Sequence, residues 1–144
     1  MLILDTDVLT IIQRRRGIEY TRLARRLNQV DDDVAVTIVS FEEQMRGWLT
    51  YISREKNEAH EIEGYSRLKA LLEDFQTRPV LDYDIKATVA FRELVSQRVR
   101  IGTMDLKIAA IALSHDALLI TRNVRDFEKV PGLQVADWTS EAGG

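Results

Sequence analysis

The sequence predicts an α/β layer fold built on a mainly parallel sheet, and three observations carry that expectation. Short apolar runs of strand length recur at 1–4, 34–37 and 117–120. Between them lie long stretches with helical spacing of apolar residues. A strand, a helical return and a further strand are most simply laid side by side in one direction, which gives a parallel sheet flanked by helices. At 144 residues the chain fits one domain with a single core.

Element by element, the first apolar run ends in Asp-Thr-Asp, a helix-start signal. Residues 6 to 30 read as helical with a break near Gly17, and Asp31-Asp32-Asp33 turns the chain into a second strand over 34–37. Residues 39–77 read as one helical stretch, with an apolar stripe at Phe41, Met45, Trp48, Leu49 and Ile52. Pro79 interrupts it and 80–82 reads as a third strand. Ile85, Val89, Leu94 and Val95 mark another helix, and Thr103 is placed to N-cap the next, which runs to Ser114. A buried strand over 117–120, a polar loop and an edge strand over 133–135 complete the chain. The domain is expected to span 1–138, with a loose tail over 139–144.

Composition narrows the chemistry. The chain has no cysteine, which excludes disulfides, thiolate metal sites and thiol nucleophiles. Only His60 and His115 are present and there is no HExxH, so a histidine-rich zinc site is not expected. Apolar residues make up 45% and charged residues 30%, the balance of a soluble globular protein. A net charge of −3 offers no global attraction to nucleic acid, yet it suits an enzyme whose surplus acid surrounds a cation. The start lacks a basic leader and the longest apolar run, 108–113, is too short to span a membrane, so a cytoplasmic location is expected.

Position must then single out a few of the 23 acids. Asp5 ends the first strand, where ligands of open parallel sheets gather, although an acid there also serves as a helix cap. Asp7 reads as a first-turn acid favoured by the helix dipole. Asp105 shares a helix face with Ile108, Ala109 and Ala112, a costly place for a carboxylate unless something pairs with it or binds it, although a capping role short of burial is the plain alternative. Periodicity does not choose between Glu42 and Glu43, and an exposed glutamate is the plain alternative for either. Beside Glu43, small Gly47 would let a ligand or another chain come close. Asn123 and Asp126 lie in a loop that opens on the same sheet edge as Asp5, although turn chemistry alone explains both. Oxygen-only donors suit Mg²⁺ or Mn²⁺, and such an ion suits phosphodiester hydrolysis.

Four segments in order resemble the PIN-domain family, specifically the VapC-type toxins of bacterial toxin–antitoxin pairs. They are Leu2-Ile-Leu-Asp5-Thr-Asp7, Thr37-Ile-Val-Ser-Phe-Glu-Glu43-Gln-Met-Arg-Gly47, Ile101-Gly-Thr-Met-Asp105-Leu-Lys-Ile-Ala-Ala110, and Leu119-Ile-Thr-Arg-Asn123-Val-Arg-Asp126-Phe-Glu-Lys-Val-Pro-Gly132-Leu, with Asp137-Trp138 beyond. The resemblance selects Glu43 over Glu42. It implies a three-layer α/β/α fold with a sheet of about four to five strands, a Mg²⁺ or Mn²⁺ site, and endonucleolytic cutting of RNA. It also implies a homodimer and a small antitoxin that silences the toxin.

Carried over from the resemblance as metal ligands are Asp5, Glu43 and Asp105, with Asp126 as the fourth acid. Some relatives have their fourth acid where this chain has Asn123, so both positions stand as candidates to complete the site. Many relatives have Asn where this chain has Asp7, which makes the site here more negative. Thr6 and Thr121 are expected to orient carboxylates or water.

Arg98 and Arg100, just ahead of Asp105, are the basic residues best placed to meet RNA phosphates. Arg14-Arg15-Arg16 with Arg22, Arg25 and Arg26 fit a solvated helix face better than an RNA track. Trp48 and Tyr51 fit a core or a partner groove. Two alternatives stand beside the nuclease. Asp5-Thr-Asp7 resembles the opening of haloacid-dehalogenase-type phosphatases, in which Asp5 would be the nucleophile. Alternatively, the domain is a non-catalytic scaffold for RNA or protein.

Overall fold

The computed structural model describes residues 1–54 and 56–141. Strand β1 (Leu2–Leu4) leads into α1 (Thr6–Arg14) and α2 (Ile18–Gln29), and β2 (Val34–Thr37) leads into α3 (Ile38–Ser53) and α4 (Glu58–Gln76). There follow β3 (Val80–Leu81), α5 (Ile85–Ser96), α6 (Thr103–Ser114), β4 (Leu118–Ile120), the short α7 (Val124–Phe127) and β5 (Gln134–Ala136). The five strands run in the order β3-β2-β1-β4-β5 and every pairing is parallel. All five carboxyl ends therefore open on one edge of the sheet.

Alternation along each strand divides the apolar residues between two cores. Ile3 and Leu119 join Leu94, Ile108, Ile111 and Phe127 on the α5/α6 side. Leu2, Leu4, Val36 and Ile120 join Val8, Leu9, Leu23, Leu71 and Phe75 on the α1/α2/α4 side. The sheet thus lies between two helical layers, the three-layer arrangement expected. Helix α6 is buried on most of its surface, from Leu106 through Ala112, because its small residues let α5 and the sheet approach it together.

Several local expectations are corrected. The stretch 39–77 is two helices: Asn57 accepts the His60 N–H at 2.8 Å and caps α4. The apolar stripe in fact stops at Ile52 and the run 53–58 is wholly polar with Asn57 in it, a cap signal that the single-helix reading ran across. Gly102, not Thr103, is the N-cap of α6, and Thr103 is its first helical residue. The loop after β4 contains α7. At the start of the expected tail, Thr139 is buried and hydrogen-bonded to Asp137. The rest of the expected tail beyond 141 lies outside the described residues.

The α3–α4 hairpin gives a direct packing test. A Cβ at Gly64 would lie 2.5 Å from Ile52 Cγ1 and 3.2 Å from Tyr51 Cδ1. Gly64→Ala is therefore expected to cost about 1–3 kcal/mol by overpacking. Nothing lies within 4 Å of a Cβ at Gly47, so Gly47→Ala should stabilise by up to about 1 kcal/mol through helix propensity. Urea unfolding of both variants checks this, and equal effects would contradict the packing described.

Candidate active site

Strand β1 ends and α1 begins at Asp5, whose extended backbone (φ −66°, ψ 161°) turns its side chain back over the helix start. The residue is 4% exposed. Both carboxylate oxygens are held: Oδ1 accepts the Thr6 N–H at 2.8 Å and Oδ2 accepts the Thr121 hydroxyl at 2.7 Å. Thr121 follows β4, the neighbour of β1, and its Oγ1 accepts the Asn123 N–H at 2.9 Å. A residue expected to play one of two parts thus does both, closing the helix and facing the sheet edge.

Glu43 arrives from α3. Its Oε1 accepts the Thr6 hydroxyl at 2.6 Å, and Thr6 Oγ1 lies 2.8 Å from the buried Ser40 Oγ. With the Thr6 proton given to Glu43, Ser40 is the donor to Thr6. Asp105 stands half-buried in the first turn of α6, and among the described residues its carboxylate accepts no side-chain or backbone hydrogen bond. Asp126 on α7 accepts the Asn123 side-chain amide at 3.0 Å and lies 3.5 Å from Lys129 Nζ. Asn123 and Asp126 therefore act as a pair.

The charges of these acids act on one another. Burial, then the charge of Asp7, pushes Asp5 up to about 7, with a smaller push from Asp105, against the lowering hydrogen bonds from Thr121 and Thr6. Asp105 is raised to about 6 by burial, then by Glu43, Asp126 and Asp7. Asp126 is held below the usual carboxylate range, first by the Asn123 amide and then by Lys129 and Arg125.

Asp7, in the first turn of α1 as read, also acts on Asp5 and Asp105, in line with the more negative site that the resemblance implied. Its Oδ1 is buried with no hydrogen-bond partner, and its Oδ2 lies 3.5 Å from Arg122 Nε. No pattern in the sequence signalled the orientation of Asp7. Ser40 had a usable signal, since it stands three residues before Glu43 on the same helix.

The donor set consists of carboxylate oxygens, one of them an orphaned buried atom, and it fits a hard divalent cation. Among the described residues, no three acidic or histidine side chains are yet close enough to clasp one ion. A groove of about 250 Å³ lined by Lys86, Val89, Glu93, Leu113 and Pro131 contains none of these acids.

The basic residues divide. Arg98, with φ 59°, and Arg100 are exposed in the loop before α6. Arg22 and Arg26 donate to the carbonyls of Thr139 (3.5 Å) and Asp137 (3.2 Å), so they fasten the C-terminal segment to α2. Trp48 and Tyr51 pack edge to face at 5.5 Å, and Tyr51 stacks on His60 at 3.9 Å inside the α3–α4 hairpin.

The chain is similar to known proteins along most of its length. The model of the PIN domain family matches residues 2–133. A Haemophilus influenzae protein named Ribonuclease VapC2 is 33% identical over 140 residues, covering 94% of this chain and 96% of its own. Among solved structures, VapBC-1 from nontypeable Haemophilus influenzae superposes with a TM-score of 0.70 at 27% identity, covering 96% of this chain and 98% of that one. DNA-bound VapBC from Salmonella typhimurium also gives 0.70 at 27% identity, covering 95% and 97%. No helix among the described residues is long and apolar enough to cross a membrane.

Proposed function

The chain belongs to the PIN domain family, and from that premise we propose that it is a metal-dependent endoribonuclease, the toxin of a toxin–antitoxin pair. The observation that carries the metal dependence is the crowding of Asp5, Asp7, Glu43 and Asp105 at one sheet edge, with Asp5 and Asp105 both driven toward protonation. Such a group stays ionised at neutral pH when a cation offsets the repulsion. Similarity along nearly the whole chain to a protein named a ribonuclease supports RNA as the substrate class. The VapBC complexes support a small antitoxin as partner. A homodimer and a cytoplasmic location follow from the same reading.

Asp5, Glu43 and Asp105 would hold Mg²⁺ or Mn²⁺, with the Asn123–Asp126 pair completing the set and Asp7 Oδ1 available as a further donor. Bound there, the ion would acidify a water and neutralise charge developing on the scissile phosphate. The protein's own part is orientation. The Thr6 N–H and the Thr121 hydroxyl fix Asp5, while the Ser40–Thr6 hydroxyl chain fixes Glu43. Arg98 and Arg100 stand ready for phosphates of the RNA. Burial of Asp5, with both oxygens occupied, is a poor state for a phosphatase nucleophile. The scaffold alternative predicts neither metal binding nor cleavage.

The test is incubation of the purified protein, free of antitoxin, with total cellular RNA. Cleavage that requires Mg²⁺ or Mn²⁺ and stops with EDTA is expected. Cleavage that persists in EDTA would remove the metal from the reading, and absence of both cutting and metal binding would favour the scaffold.

A further inference from the structure

Arg122 lies between two residues of the site: Thr121 holds Asp5, and Asn123 holds Asp126. Its Nε is 3.5 Å from Asp7 Oδ2 and its Nη1 donates to Glu19 Oε2 at 2.5 Å. These contacts use Nε and Nη1, which lie on different edges of the guanidinium; among the described residues Nη2, common to both edges, makes no hydrogen bond. The side chain is 46% exposed. It therefore stands at the mouth of an acidic site with donors to spare.

An RNA phosphodiester approaching this site meets the repulsion of Asp5, Asp7, Glu43, Asp105 and Asp126. A cation at the rim reduces that repulsion, and arginine's planar fork matches two phosphate oxygens. Asp7 is contested: its charge acts on Asp5 and Asp105 and its Oδ1 is buried without a partner, while its Oδ2 lies 3.5 Å from Arg122 Nε. Any cation that draws the Asp7 carboxylate inward loosens its hold on Arg122. Resting on the nuclease reading above, we infer that Arg122 is a phosphate-binding residue, kept at the site by Asp7 and Glu19 and turned to the RNA backbone when Asp7 is engaged by a divalent cation.

A purely structural role makes a different prediction. If Arg122 only ties α2 to the loop after β4, removing either end of the Arg122–Glu19 pair has the same consequence. If it binds phosphate, the two ends part: loss of Arg122 weakens binding, whereas loss of Glu19 frees the guanidinium and does not weaken it.

The experiment measures binding of a short mixed-sequence single-stranded oligoribonucleotide to the full chain, with Ca²⁺ in place of Mg²⁺ to slow cutting, over a series of salt concentrations. Arg122→Gln is expected to weaken binding about three- to tenfold and to reduce the salt slope by about one. Glu19→Gln should leave binding unchanged or tighten it, and thermal melts of both variants report on folding. Equal losses in the two variants, or an unchanged salt slope in Arg122→Gln, would overturn the assignment while leaving the nuclease reading intact. A wild-type chain that neither binds nor cuts RNA would overturn the nuclease reading itself.

Discussion

Asp105→Asn is expected to lower RNA cleavage at least about a hundredfold, the scale of losing one electrostatic partner of a transition state, while making the metal-free protein more stable. The two effects share one origin. Asp105 accepts no hydrogen bond among the described residues, so an isosteric amide forfeits none. Its carboxyl is raised to about 6 by burial and by Glu43, Asp126 and Asp7. Its charge above that pH is therefore a cost of folding that Asn removes. Raising a carboxyl from about 4 to about 6 corresponds to almost 3 kcal/mol, which solvent screening at this half-buried position reduces to about 1 kcal/mol. A rise in melting temperature of about 2–4 °C follows. The gain should be present above about pH 6 and vanish below about pH 4, as the wild-type carboxyl becomes neutral in both states. Loss of activity with a lower melting temperature would mean that Asp105 holds the fold together. Asp5→Asn should lose activity to a similar degree without the gain, because an amide cannot accept from both the Thr6 N–H and the Thr121 hydroxyl.

A second large effect is expected from pH and metal together. Burial and the Asp7 charge raise Asp5 to about 7 in the folded chain, and Asp105 is raised to about 6. With folded-state values above the unfolded ones, the native state binds more protons between about pH 4 and pH 7. The stability these groups contribute is complete below about pH 4 and is lost as pH rises through about 6 and then 7. Added Mg²⁺ must displace the same protons, so its affinity should climb over that range and its binding should release protons. The metal-induced rise in melting temperature should be larger at about pH 8 than at about pH 5. Calorimetric titration in buffers of different ionisation enthalpy counts the protons released. A metal effect independent of pH would show that these two carboxyls are not where the ion binds.

Much of this was legible in the sequence, for physical reasons. Apolar runs of strand length separated by amphipathic stretches can bury their surfaces in few ways, and the parallel α/β sheet is one of them. Asp5 and the loop after β4 were readable as opening on one sheet edge, because both follow strands of a parallel sheet; the adjacency of β1 and β4, which makes Asp5 and Thr121 neighbours, came from the structure. The division of 39–77 into α3 and α4 was signalled only weakly. The polar run 53–58 with Asn57 in it marks a cap, but a polar run also suits the exposed side of one long helix, and the packing of α4 back on α3 settles it.

The order of the acids along the chain determined which elements deliver carboxylates to the sheet edge. The absence of cysteine and of a histidine motif determined that the donors would be oxygen. Only the tertiary structure decided which hydroxyl holds which carboxylate, that Ser40 supports Glu43 through Thr6, and that Asp7 has one oxygen orphaned and the other beside Arg122. Periodicity reports the face of a helix on which a residue stands, whereas pairing depends on side chains brought together from 34 to 116 positions apart.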